Sequence, residues 1–179
     1  MNKILISTAT FNESKNIEIF LKKIINIKIE LDILIVDDNS PDGTSGIIEQ
    51  LKEKYKNIFL IKRYAKLGLD TAHKDIYQYA LDKDYDYLIT MDADLSHNPT
   101  ELIKMKERLE VDADLIIGSR YKNGVNVINW PLSRVLLSYI ASIYVRFITS
   151  MPIKDPTSGF VCYSVKSLQK LNLDFFAFL

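Results

Sequence analysis

The sequence predicts an α/β fold, a single domain with a mostly parallel central sheet flanked by helices. Short apolar runs alternate with longer segments of helical periodicity, at intervals that give right-handed βαβ units. The runs are nearly all apolar, as in strands covered on both faces. The chain has 179 residues, 47% apolar and 26% charged, enough for one sizeable core and typical of a globular protein.

The elements follow in order. Lys3–Ser7 reads as a buried strand. Ser14–Ile27 reads as a helix with Ile17, Phe20, Leu21, Ile24 and Ile25 on one face. Leu31–Val36 is a second strand, and Thr44–Tyr55 a helix with Ile47, Ile48 and Leu51 inward. Strand Ile58–Ile61, helix Thr71–Leu81 and strand Tyr87–Met91 continue the rhythm. The helix Pro99–Leu109 has a marked start, with Asn98 as N-cap, Pro99 at the first position and Glu101 at the third. Leu115–Ile117 is the fifth strand. Arg120–Trp130 reads as a loop, closed by Pro131. A helix follows over Leu132–Ile148, where Arg134, Ser138, Ser142 and Arg146 form a narrow polar stripe in an otherwise apolar segment. Its periodicity fits a core helix with one wet edge. The alternative is a helix lying near a membrane surface or against a lipidic substrate. Its apolar content reads as too short and too Arg-flanked to span a bilayer.

Composition removes several functions. Twenty-three basic and 23 acidic residues give zero formal net charge, so no global field draws the protein to nucleic acid or to an anionic membrane. One cysteine, Cys162, forms no internal disulfide, which points to a reducing, cytoplasmic compartment. It also lacks an evident histidine partner, as an inert thiol does. The N-terminal residues lack the long apolar stretch of a signal peptide. There are 18 lysines and 5 arginines. In such a chain the arginines mark places where a forked donor is required.

Ligands in open parallel α/β sheets bind at the carboxyl ends of strands. Four ends here carry polar clusters: Ser7–Glu13, Asp37–Thr44, Asp92–Asp94 and Gly118–Arg120. Asp92 and Asp94, one residue apart after an apolar run, can reach one cation. Oxygen ligands suit Mg²⁺ or Mn²⁺ shared with phosphate oxygens. The pairs Asp82/Asp84, Asp84/Asp86 and Asp112/Asp114 share the spacing but read as solvated turn acids. Asp37 and Asp38 stand where an acid accepts hydrogen bonds from a ribose, although Asn39-Ser40-Pro41-Asp42-Gly43 is also a turn sequence. No glycine-rich phosphate cradle occurs. Phosphate charge therefore falls to a metal with Lys66, Arg120 and Arg134 as candidates. His73 and His97 read as surface or cap residues, His97 being notable for lying three residues after Asp94.

Six segments come in a recognisable order: Thr10-Phe11-Asn12-Glu13, Asp37–Thr44, Lys66-Leu67-Gly68-Leu69, Met91–His97, Gly118-Ser119-Arg120-Tyr121 and Asp155–Phe160. Together they resemble the dolichol-phosphate mannose synthases within the family 2 glycosyltransferases. The resemblance runs from about residue 3 to residue 163 and implies a GT-A (Rossmann-like) domain. It implies inverting transfer of a sugar from a nucleotide-sugar, usually GDP-mannose, to a polyprenyl monophosphate such as dolichol phosphate. Thr10, Phe11, Glu13, Asp37, Asp38 and Lys66 would then bind the donor. Asp92 and Asp94, as the DXD motif, would hold magnesium or manganese on the diphosphate. Arg120 and Arg134 would meet phosphate groups, and Ser158 and Gly159 would lie on the acceptor side. It further implies peripheral contact at the cytoplasmic face of a membrane, or a membrane-subunit partner.

Three departures stand out. Asp70 replaces the usual glycine and repels a diphosphate unless it turns outward. Val161 replaces the usual arginine and removes a phosphate contact. The chain ends at Leu179 where family members continue, so a truncated form is expected, or a short variant pairing through its apolar tail Asp174–Leu179. Two rival readings use the same residues: a family 2 enzyme with another donor and a soluble acceptor, and a nucleotide-binding module impaired in catalysis. A phospho-acceptor signalling domain fits less well, since the third strand ends in Lys62-Arg63.

Overall fold

In a computed structural model of the protein, residues 2–109, 113–121 and 130–170 are described. The described elements run β1 (Ile4–Thr10), α1 (Ile17–Ile25), β2 (Asp32–Asp37), α2 (Thr44–Lys54), β3 (Ile58–Lys62), α3 (Leu69–Asp82), β4 (Tyr87–Thr90), α4 (Glu101–Arg108), β5 (Leu115–Ile117), α5 (Leu132–Thr149), β6 (Val161–Ser164) and α6 (Val165–Leu168). They build one six-stranded sheet in the order β3-β2-β1-β4-β6-β5. β1, β2, β3 and β4 are parallel, whereas β6 runs antiparallel to both β4 and β5.

The strands alternate faces, and each face meets helices. Ile4 and Ile6 of β1, with Ile33 and Ile35 of β2, pack under the apolar stripe Ile17, Phe20, Leu21 and Ile24 of α1. Leu5, Leu34 and Leu88 point the other way, onto Ala72, Ile76 and Ala80 of α3 and Val165 and Leu168 of α6. Burial of both faces explains why the strands read as continuous apolar runs.

Local structure adjusts several boundaries. β1 extends to Thr10, because its register pairs Thr10 with Asp37 on β2. α4 begins at Glu101. Asn98 does act as a turn acceptor, its Oδ1 receiving the Thr100 N–H at 3.1 Å, but Pro99 and Thr100 form a turn before the helix. β6 and α6 carry no turn signal that separates them in sequence from the 155–160 motif. The tail 174–179 and most of the loop 120–130 lie outside the described residues.

The direction of β6 sets up the site. Val161, at its start, pairs with Thr90 at the end of β4 and Ile117 at the end of β5. The 155–160 segment therefore arrives at the same edge where β1, β2, β4 and β5 end. Val161 is buried there, inside the sheet, where valine packs and an arginine would not.

Candidate active site

Two loops form the first half of the rim. Asp37 is fully buried. Its oxygens accept from Thr10 Oγ1 (2.8 Å), Ser40 Oγ (2.6 Å), the Ser40 N–H (3.0 Å) and Ser45 Oγ (2.5 Å). Burial pushes this carboxyl up, and the bonds from Ser40, Ser45 and Thr10 outweigh it and hold it below the usual range. Asp37 thus does not open onto the rim, and with Thr10 it pins the loop that follows; Asp38 is buried as well. The loop is further tied to residues 12–14: the Asn12 N–H donates to Ser40 Oγ, the Glu13 N–H to Thr44 Oγ1 and the Ser14 N–H to Asp42 Oδ2, each at 3.0 Å. Asn39 turns the loop at φ 56°, an αL conformation that asparagine tolerates.

Asp38 faces the next loop. Its Oδ1 accepts from Arg63 Nη1 at 2.7 Å and its Oδ2 from the Gly68 N–H at 3.1 Å. Arg63 is buried and also donates to the Gly68 carbonyl and to Thr71 Oγ1. One guanidinium therefore joins the end of β2 to the start of α3. Sequence reading passed over Arg63 as a site residue, though its rarity in a lysine-rich chain was the available signal. Between these anchors Lys66 lies exposed with its Nζ 4.0 Å from the centre of the half-buried Phe11 ring. Glu13 is half-buried and accepts from Asn16 Nδ2. Asp70 is exposed in the first turn of α3, where helix polarity favours an acid.

Asp92 and Asp94 follow the end of β4, and both are exposed. Asp94 Oδ1 accepts the Ser96 N–H at 2.9 Å across Leu95, which is held at φ 61°. A leucine in that region is strained, as backbone often is at functional sites. The walls around Asp92 push its carboxyl up, the Asp94 charge adds to this, and His97, His73 and Arg120 pull the other way. His97 is a correction to the surface reading. It is buried, 5.3 Å from the Phe160 ring centre, with Nε2 3.9 Å from Asp92 Oδ2. Burial pushes its imidazole down against the pull of Asp92 and Asp94. His73 is half-buried, and burial likewise pushes it down. Asp82, at the end of α3, and Asp84, Asp86 and Asp114 are exposed acids away from this edge, and Asp112 lies outside the described residues.

The second half of the rim is a buried ion pair. Arg120 donates through Nε (2.9 Å) and Nη2 (2.6 Å) to Asp155, and through Nη2 to Thr157 (2.6 Å). Both residues are buried. The Asp155 partnership raises Arg120 above its ordinary value. Asp155 is pushed up by burial and, on balance, held low by Arg120 and Ser142. Sequence reading gave Arg120 to phosphate and missed Asp155 as its partner. The geometry leaves Nη1 as the guanidinium nitrogen with no protein partner among the described residues. Ser158 Oγ donates to the Gly118 carbonyl at 2.8 Å. Gly159 lies against Asp92, where a Cβ would come within 2.9 Å of Oδ2.

α5 inverts the expectation of a core helix with a wet edge. Ser142 is its buried residue, bonded to Asp155 Oδ1 at 3.2 Å and to Thr157 at 3.1 Å. The serines of the polar stripe face the domain, and the apolar face is outward. Leu132 and Phe147 are 82% exposed and Leu137 70%. Length and composition also make α5 long and apolar enough to cross a membrane, contrary to the sequence reading. A groove of about 350 Å³ at its C-terminal end is lined by Ile143, Arg146, Phe147, Ser150 and Met151.

The residues fit a divalent cation held partly by substrate. Among the described residues no three metal-ligating side chains converge. The two exposed carboxylates offer oxygen donors to an ion whose other positions water and diphosphate oxygens would fill.

A parallel sheet with acids on its carboxyl edge and a returning antiparallel strand places the chain among α/β domains that take ligands at the strand ends. The family description "Glycosyl transferase family 2" matches residues 6–171, and the chain belongs to that family. It is 36% identical over 96% of its length to a polyprenol monophosphomannose synthase of Mycolicibacterium smegmatis, covering 65% of that protein. It is 34% identical to an undecaprenyl-phosphate mannosyltransferase of Micrococcus luteus, again over 96% of this chain and 70% of the relative. A dolichol-phosphate mannosyltransferase of Pyrococcus furiosus is 33% identical over 96% of this chain and 49% of its own. The chain thus spans about half to 70% of the length of these relatives. In fold it matches the mannosyltransferase PcManGT from Pyrobaculum calidifontis, solved with GDP-Man and Mn²⁺, at a TM-score of 0.63 and 16% identity, over 95% of this chain and 46% of that one.

Proposed function

We propose that the protein is a metal-dependent inverting glycosyltransferase that moves a sugar, mannose from GDP-mannose, onto a polyprenyl monophosphate. The observation that carries this is the join between two surfaces. Ser142 ties the outward-apolar helix α5 to Asp155, whose partner Arg120 closes the rim beside Asp92 and Asp94. A lipid chain on α5 would bring its phosphate to that rim. The three mannosyltransferase relatives support the choice of sugar and acceptor.

In this reading Phe11 and Lys66 flank the base, and Asp38, fixed by Arg63, meets base or ribose. Asp92 and Asp94 hold Mg²⁺ or Mn²⁺, which when bound offsets charge on the departing nucleoside diphosphate. Arg134 and the Nη1 of Arg120, which has no protein partner among the described residues, hold the acceptor phosphate in line with the sugar carbon. A phosphate oxygen attacks that carbon as the bond to the diphosphate breaks, which inverts the centre. The nucleophile is already ionised near neutral pH, so the rim needs no strong base, and positioning supplies much of the rate. Ser158 and Gly159 border the acceptor side. The Ser142 bond holds α5 along the domain, so its apolar face rests in a membrane surface instead of crossing it. Arg146, exposed among apolar groove residues, would lie at headgroup level.

The test is transfer of labelled mannose from GDP-mannose to farnesyl phosphate with Mn²⁺. Transfer is expected to stop with chelator and in Asp94→Asn. Transfer unaffected by either, or preference for a soluble sugar acceptor, would refute the reading.

A further inference from the structure

Trp130 is the chain's single tryptophan, and no motif above claims it. It directly precedes Pro131, from which α5 departs. Arg134 lies in the first turn, its N–H donating to the Pro131 carbonyl at 3.0 Å. Its guanidinium carbon stands 3.9 Å from the Trp130 ring centre, and that of Arg120 stands 5.6 Å from the same ring. The two arginines differ in every other respect. Arg120 is buried and closed on Asp155. Arg134 is exposed and makes no carboxylate pair among the described residues. An unpaired arginine samples many rotamers, and stacking on an indole face selects few of them. Simple packing at the base of α5 explains a half-buried indole. It does not explain a guanidinium seated on its face at van der Waals distance.

We propose that Trp130 is a positioning residue: its ring holds the Arg134 guanidinium beside the Arg120–Asp155 clamp, so that a phosphomonoester meets charge already in place. The indole touches no reacting atom. The inference rests on the acceptor reading above, and its ligand class is a phosphomonoester on an apolar chain.

The protein itself carries the probe, because its tryptophan emission comes from Trp130 alone. Arg134→Gln is expected to shift that emission without any ligand, and unchanged emission would overturn the stacking. With Mn²⁺ and GDP-mannose, Trp130→Leu is expected to raise KM for farnesyl phosphate about three- to fivefold, the weight of one exposed cation–π contact. The KM for GDP-mannose should stay fixed, and Trp130→Tyr should remain within twofold of wild type. Trp130→Leu combined with Arg134→Gln should be no worse than Arg134→Gln alone. Additive effects, or a Trp130→Leu enzyme with unchanged acceptor KM, would overturn the proposal. Thermal melting checks the fold, and Trp130→Met repeats the cycle if the leucine variant is unfolded. Inorganic phosphate as competitor separates a headgroup effect from a chain effect: equal loss of both in Trp130→Leu supports the inference, and loss of the chain contribution alone refutes it. A wild-type protein that binds GDP with Mn²⁺ but neither binds nor uses farnesyl phosphate fails at the acceptor reading, and the inference falls with it.

Discussion

Replacing Gly159 by alanine separates site geometry from stability. The new Cβ would stand 2.9 Å from Asp92 Oδ2, 3.2 Å from Oδ1 and 3.3 Å from Cγ. The backbone of Gly159 does not occupy the left-handed region, so alanine meets no strain there. Thr90 Oγ1 donates to its carbonyl at 3.0 Å, which limits how far the chain can retreat. The Asp92 carboxylate must yield, and with its side chain 55% exposed it can. Stability should change by only about 0.5 kcal/mol, as for surface substitutions. The displaced carboxylate would no longer face the proposed ion together with Asp94. Affinity for GDP in the presence of Mn²⁺ should fall about 10- to 100-fold, the usual effect of disturbing what orients a metal ligand. Gly118→Ala is the control. Its Cβ would overlap Cδ1 of Phe160, a core ring beneath His97. Overpacking there should cost about 1–3 kcal/mol. Calorimetric titration of GDP with Mn²⁺ and chemical denaturation read the two effects. If Gly159→Ala binds like wild type, or melts as early as Gly118→Ala, the assignment of Asp92 to the ion is wrong.

Four further outcomes follow from the same geometry. Asp37→Asn places an amide among four donors and should cost about 2–3 kcal/mol. Because the folded pKa of Asp37 lies below its unfolded value, its contribution is present above the unfolded pKa near 3.8 and fades as pH falls through the lower, folded pKa. The variant should therefore lose stability at neutral pH and approach wild type in strong acid, and a penalty unchanged by pH would refute this. Asp155→Ala strands a buried guanidinium and should cost about 3–5 kcal/mol by denaturant titration, whereas a loss under 1 kcal/mol would show that Arg120 finds another partner. Cys162 is buried with its thiol pushed up to about 12, so a thiol reagent should modify it only on unfolding, and fast labelling of native protein would contradict the core placement. Leu137→Glu with Phe147→Glu should abolish sedimentation with phosphatidylglycerol vesicles and leave GDP binding intact, and unchanged sedimentation would remove the membrane role of α5.

The parallel half of the sheet was legible because each strand is short, apolar and followed by a periodic helix. The rim was legible for the complementary reason that acids and amides crowd directly after apolar runs. What escaped was pairing at long range. Asp37 and Asp38 are neighbours in sequence and alternate in direction as strand residues do, so one is satisfied inside and the other faces Arg63, twenty-five positions away. Arg120 and Asp155 are thirty-five apart and meet only because β6 returns antiparallel. Nothing local in Val161–Ser164 specifies that return. It follows from the place left between β4 and β5.

The orientation of α5 is the harder case, because its periodicity fits both a core helix and a helix with its apolar face outward. A polar stripe on an apolar helix says that two environments are present, not which lies inside. In a water-exposed domain the apolar face turns to the core, and that default fails here for an identifiable reason. The Arg120–Asp155 pair is buried, and Asp155 and Thr157 retain acceptor capacity that hydroxyls can fill. Ser142 supplies one, so the serine side of the stripe is the face that fits the domain. Leu132, Leu136, Leu137, Tyr144, Phe147 and Ile148 are consequently turned outward, each at least 58% exposed. Water is a poor solvent for such a surface. A buried charge at the rim and an apolar face at the periphery are thus two ends of one constraint: the network that closes the rim also turns the apolar face of the helix outward.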